Sequence, residues 1–170
     1  VQDITLLKQA EQSLQDNETQ LRTLIDTLPD LVWLKDPDGI YLSCNRKFER
    51  FFGATEAQIK GKTDYDFVDR ELADFFREND RIAMAAKHPS INEEEITYAD
   101  DGHQEYIETI KTPIVNGDGK LMGVLGVARD ISERKLKERA LRDSEQALKD
   151  SEQLLRLTTE QAGVAIWEYD

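Results

Sequence analysis

The residues able to do chemistry in this chain are few and scattered. Two histidines, His88 and His103, and one cysteine, Cys44, are all it holds of those types. Asp100, Asp101 and His103 crowd together, but an Asp-Asp-Gly-His run is what a tight turn uses, and no metal is expected there. His88 and His103 bracket a whole strand of about 30 Å at the usual rise per residue, too far apart to share an ion. Glu93, Glu94 and Glu95 are consecutive. In a strand they alternate faces, which makes a charged, edge-protecting strand and not a paired-carboxylate site. Thr109 and Lys111 share one strand face. If that face points inward, Lys111 could pair with an acidic ligand; if outward, it is an ordinary surface lysine. Cys44 reads as a small buried hydrophobe. The sequence contains no nucleophile–base arrangement and no phosphate-cradling loop, so catalysis is not expected of this stretch.

The apolar candidates have two readings. Trp33, Phe67, Phe75, Ile82 and Leu125 would line either a packed core or a ligand pocket, because both are walled by the same side chains. A pocket would lie between the long helix and the sheet, with Trp33, Phe75 and Ile82 on its walls.

The elements that must position these residues are legible. Residues 31–35 read as a strand, Asp36-Pro37-Asp38-Gly39 as a turn, and 40–44 as the returning strand. A short helix over 45–52 ends at Gly53. Thr55 and Gln58 form a capping box for a second short helix, ended by Gly61. A longer helix covers 69–87, with Leu72, Phe75, Phe76, Asn79, Ile82, Ala83 and Ala86 as its expected inner stripe. Strands at 91–99, 103–115 and 120–129 follow, joined at Asp101-Gly102 and at Asn116-Gly117-Asp118-Gly119. Two strands, several helices, then three strands is an α+β order with an antiparallel sheet. The last strand is apolar on both faces, so both should be covered.

Two long helices flank this module. Leu7, Leu14, Leu21 and Leu28 recur every seven residues, with Ala10, Asn17 and Leu24 between them, which is a coiled-coil seam with one polar position. Packing of that helix on its own domain is the alternative. Pro29 stops it. A second helix is expected over 131–161, about 45 Å long if straight. Leu141, Leu148 and Leu155 continue the leucine seam there, with Ala140, Ala147 and Leu154 as a rival row. The run from Glu11 to Arg22 also repeats from Glu145 to Arg156, an offset of 134 residues that then pairs Trp33 with Trp167. Repetition of this kind marks tandem modules. Residues 162–170 are therefore expected to begin the first strand of a second copy, and the chain to be an excerpt of a longer protein.

Composition excludes several classes. The formal charge of −13 argues against nucleic acid and against direct membrane contact, both of which need a basic face. The longest uncharged apolar run, 121–128, is far below the ~20 residues of a membrane span. One cysteine allows no internal disulfide and suits a reducing compartment. The expectation is a soluble, cytoplasmic fragment, whose parent could be membrane-anchored upstream.

Over residues 24–133 the sequence resembles a PAS sensor domain. The resemblance rests on Leu28-Pro29-Asp30, Asp36-Pro37-Asp38-Gly39, Asn45 with Phe48, Asp101-Gly102, Gly119, and most of all Gly126-Val127-Ala128-Arg129-Asp130-Ile131-Ser132-Glu133. The last run is similar to the Asp-Ile-Thr junction at which such domains enter their linker helix, with Ser132 in place of Thr. It implies a PAS fold: a five-stranded antiparallel sheet with short helices on one face, between coiled-coil-like helices. It implies a helical linker at 1–28, the sensor domain at 29–130, a signalling helix at 131–161 and the truncated second domain at 162–170. The haem type carries a histidine within the long helix, and none lies in 69–87. The covalent-flavin type carries a cysteine in the helix after the first short one, and none lies in 55–60. Both are disfavoured, and the cofactor, if any, is unknown. The implied function is sensory input and homodimerisation, relaying the state of a ligand, cofactor or partner through Asp130, Ile131 and Ser132 to an output domain in cis. The parent would be a sensor histidine kinase or, less expectedly, a diguanylate cyclase or phosphodiesterase. A ligand-free dimerisation scaffold is the alternative.

Overall fold

The computed structural model describes residues 2–167. Helix α1 (Gln2–Thr27) leads into strand β1 (Leu31–Lys35) and strand β2 (Tyr41–Cys44). Helices α2 (Arg46–Phe52) and α3 (Glu56–Ile59), a 3-10 turn (Asp64–Asp66) and helix α4 (Arg70–Ala86) follow. Strands β3 (Ser90–Thr97), β4 (Gln104–Val115) and β5 (Leu121–Asp130) complete one compact unit, and helix α5 (Ser132–Trp167) forms a second.

The five strands make one sheet in the order β2-β1-β5-β4-β3, every neighbouring pair antiparallel. Local chemistry explains most boundaries. In the β1–β2 turn, Gly39 N donates to Asp36 O at 3.0 Å, and the Asp36 carboxylate accepts from Ile40 N at 2.9 Å. Asn45 caps α2 by accepting from Phe48 N, and also accepts from Val32 N. Its Nδ2 donates to Ile25 O and Asp30 O. One buried amide thus ties the end of α1 to β1 and α2. Thr55 with Gln58 forms the expected capping box, and Asp69 caps α4 through Leu72 N.

The core lies between the sheet and α2–α4. Trp33, Tyr41, Phe48, Phe51, Phe52, Phe76, Ile96, Tyr98 and Ile107 fill it. Phe48 and Phe52 meet edge to face at 4.7 Å, a favoured aromatic geometry. Trp33 lies across β5 over Gly126, where a Cβ would stand 2.1 Å from the indole Cε2. Only glycine leaves room for the ring there.

Three expectations need correction. The inner stripe of α4 is Ala73, Phe76, Arg77, Asp80 and Ala83, while Phe75 and Ile82 are 43% and 49% exposed. The helix is rotated from the phase that apolarity alone indicates, because Arg77 and Asp80 turn inward to charged partners. Leu125 stands on the opposite sheet face from Trp33, since it pairs with Leu34 and Thr112 while Trp33 pairs with Gly126. Finally, α5 continues to Trp167, where a new strand was expected from 162. A strand is held by its ladder partners, and among the described residues none pairs with 162–167; residues 168–170 lie outside those described.

Candidate functional site

Alternation along β1 places Leu31, Trp33 and Lys35 on the inner face, and along β4 it places Ile107, Thr109 and Lys111 there. Two lysines are thereby carried into the interior, 1% and 2% exposed. A buried ammonium survives only with opposite charge and full hydrogen bonding. The 3-10 turn and α4 supply both. Lys35 Nζ donates to the two Asp64 oxygens at 2.9 and 2.6 Å and to Asp80 Oδ2 at 3.0 Å. Lys111 Nζ donates to Asp80 Oδ1 at 2.6 Å and to Phe76 O at 2.9 Å. Tyr41 OH donates to Asp64 Oδ1 at 2.6 Å. Arg77 reaches Asp80 at 3.4 Å and donates to Asp38 O at 2.8 Å, its guanidinium occupying the space a side chain at Gly39 would need.

These groups perturb one another. Burial would raise the Asp80 carboxyl, but Lys35 and Lys111 outweigh it and hold the group below the usual carboxylate range. Burial draws the Lys111 ammonium below its usual range, against the pull of Asp80. Burial raises Glu94, opposed by the Thr109 hydroxyl, which donates to its Oε1 at 2.8 Å. Asn92 also favours the ionised form of Glu94 without reaching hydrogen-bond geometry. Burial pushes the Cys44 thiol up to about 12, so it is an inert hydrophobe, as its sequence context indicates.

A cavity of about 20 Å³ lies beside this network, walled by Trp33, Tyr41, Phe48, Phe51, Phe76, Ile96 and Ile107 with Lys35, Asp64, Glu94 and Lys111. That is room for one water. Two of the lining residues carry a buried polar atom that lacks a hydrogen-bond partner among the described residues: Trp33 Nε1 and Glu94 Oε2.

Of the expected pocket residues, Trp33 and Lys111 line the cavity. Thr109 is buried and acts through Glu94. Phe67 stacks on Phe52 at 4.5 Å and is not a wall. Phe75, Ile82 and Leu125 face elsewhere. Lys111 points inward, but its charge is taken by Asp80 and not left for an acidic ligand. Lys35, Tyr41, Asp64, Arg77, Asp80 and Glu94 were not anticipated. The signal was present: alternation from Trp33 puts Lys35 inside, and two inward lysines demand inward acids.

Asp100, Asp101 and His103 bring one ligand atom each within 4.8 Å of one another. Asp101 accepts from His103 N at 3.1 Å and from its ring, and Arg50 pairs with both aspartates, which is turn and surface chemistry. Glu93 and Glu95 are exposed on edge strand β3 while Glu94 faces in. The seam leucines are all solvent-facing, from Leu28 at 46% to Leu14 at 69%, and Asn17 is exposed among them. At the junction, Asp130 ends β5 opposite Ile107. The first helical bond of α5 runs from Lys135 N to Ile131 O, so Ile131 holds the capping position. The ladder to β4 keeps Asp130 in the strand.

Sheet order, helical layer and buried interior together define a sensor fold of the PAS type, and the chain belongs to that family: the PAS fold model matches residues 25–136. It is 30% identical over 129 residues to the methanogenesis regulatory histidine kinase FilI of Methanothrix harundinacea, covering 76% of this chain and 14% of that protein. It is 32% identical over 121 residues to the aerobic respiration control sensor protein ArcB of Escherichia coli K12, covering 71% and 15%. The solved PAS domain of Bordetella pertussis BvgS superposes with a TM-score of 0.58 at 28% identity, over 78% of this chain and 98% of that one. The chain thus spans about a seventh of the length of these curated relatives. Its place is that of a sensory input domain in signal transduction. Among the described residues no helix is long and apolar enough to cross a membrane.

Proposed function

We propose that this chain is the input region of a cytoplasmic sensor histidine kinase, and that its interior cavity holds the signalling molecule. The observation that carries this is the pair of orphaned polar atoms, Trp33 Nε1 and Glu94 Oε2, on residues lining a buried cavity beside a closed charge network. An apolar site with a few convergent polar groups and perturbed carboxyls is what a ligand pocket offers. Residues 29–130 form the sensor, 1–28 and α5 the helical connections, and the exposed leucine rows of Leu7, Leu14, Leu21, Leu28 and of Leu141, Leu148, Leu155 the seams of a homodimer. The segment Asp130, Ile131, Ser132 passes the state of the sheet into α5 and on to an output domain in cis. The repeat of residues 11–22 at 145–156 supports a second module beyond α5 in the parent.

The test is native mass spectrometry of the chain purified without denaturant. A retained small molecule, released on unfolding, supports the reading. A bare polypeptide from every expression condition favours the second reading, a ligand-free dimerisation scaffold. One observation speaks for that alternative: the cavity is no larger than a water.

A further inference from the structure

Which kind of molecule fits is readable from the walls, if the cavity is the ligand site proposed above. Lys35, Lys111, Asp64 and Glu94 line the cavity, and Asp80 and Arg77 join their network without lining it. Asp64 and Asp80 are bonded to the lysines, and Arg77 is committed to Asp80 and to Asp38 O. Each ammonium and the guanidinium is therefore hydrogen-bonded to a carboxylate of the protein. A ligand carboxylate entering here would find no free cation, and it would meet the Glu94 carboxyl.

What the wall leaves unanswered is neutral in character. Trp33 is 7% exposed, and its indole N–H, a donor only, has no acceptor among the described residues. Glu94 spends Oε1 on Thr109 and leaves Oε2 without a donor. Phe48, Phe51 and Phe76 contribute to the remaining wall. β3, which carries Glu94, is the sheet's edge strand with a ladder on one side only. A ligand larger than water requires this edge strand to yield, a step the proposal includes.

We propose that the cavity takes a small uncharged molecule offering an acceptor to Trp33 Nε1 and a donor to Glu94 Oε2, as a primary amide does, and that it rejects carboxylates of the same shape.

Isosteric pairs test this: acetamide against acetate, and benzamide against benzoate, titrated at neutral pH into the full ¹⁵N-labelled chain. The readout is the indole N–H resonance of Trp33. Trp167 is the only other tryptophan, so Trp33→Phe assigns the signal. The amides should move this resonance saturably, and the acids should bind about tenfold or more weakly, because they leave a buried group unpaired. Glu94→Gln keeps the side chain's shape and its acceptor for Thr109 while placing a donor in the cavity. It should narrow the gap between amide and acid, with the free variant's spectrum still that of the folded protein. Equal or tighter binding of the acids overturns the proposal while leaving the cavity a ligand site. So does an unchanged preference in Glu94→Gln, or a retained native ligand that proves anionic. Silence from all four probes together with a bare mass in native spectra overturns both this inference and the ligand-site reading.

Discussion

Asp80 is the residue on which the interior charge balance turns. It accepts from Lys35 at 3.0 Å and from Lys111 at 2.6 Å, with Arg77 at 3.4 Å, and is wholly buried. Removing one member of such a network leaves uncompensated charge in low dielectric. We expect Asp80→Asn to lower stability in urea by about 3–5 kcal/mol. The double change Asp80→Leu with Lys111→Met should cost far less, since Lys35 retains Asp64. The two perturbed carboxyls also act oppositely on pH dependence. Asp80 sits below its unfolded value, so it supports folding above the ordinary carboxylate range and loses that support as pH falls through its folded value. Glu94 sits above its unfolded value, so its contribution is complete at low pH and disappears as pH rises through its folded value. Urea midpoints of the wild type and Glu94→Gln, measured between about pH 4 and 7, should show the wild type losing ground to the variant as pH rises.

At the scale of the element, the rotation of α4 is the finding with the sharpest consequence. An apolarity count gives Phe75 and Ile82 the same claim to the interior as Phe76. The charged pair Arg77 and Asp80 decides the phase, and Phe76 and Ala83 come with it. Phe76→Ala should then cost about 3–5 kcal/mol, the range for a truncated core aromatic, and Phe75→Ala should lie within about 0.5 kcal/mol of wild type. Equal losses from the two would mean that the helix presents another face. The arms behave as the reverse case. Their leucines are regularly spaced and solvent-facing, which suits helices waiting for partners. Light scattering on a chain starting at Ile25 should show weaker self-association than the full chain; an unchanged dimer would remove α1 from the interface.

For the whole molecule, the proposed sensory role requires a change around the cavity to reach α5. β5 touches it: Ala128 lies on the cavity wall, and the same strand ends two residues later at Asp130, with α5 beginning at Ser132. One residue, Ile131, separates the end of the strand from the start of the long helix. Asp130→Ala should leave the urea midpoint of the module within about 1 kcal/mol, because the substitution removes no core packing. The response of the parent protein to its stimulus should nevertheless fall. A normal response amplitude in a parent carrying that substitution would place transmission elsewhere.

Sequence alone determined what local chemistry controls. Asn45, Thr55 with Gln58, Asp69 and the turn glycines set helix ends and hairpins through contacts within a few residues. Strand alternation and the ordered motifs were enough for the PAS resemblance and the antiparallel sheet. Gly126 stood in the motif without a visible reason, because its need for a bare Cα comes from Trp33 on a neighbouring strand. The same holds for Asp64 and Asp80, which read as ordinary surface acids until β1 and β4 bring Lys35 and Lys111 to them across 29 and 31 residues. Only the tertiary structure decided the facing of Lys111, the phase of α4 and the character of the cavity. Each depends on which charges meet inside, and burial makes that pairing compulsory without local sequence revealing the partner.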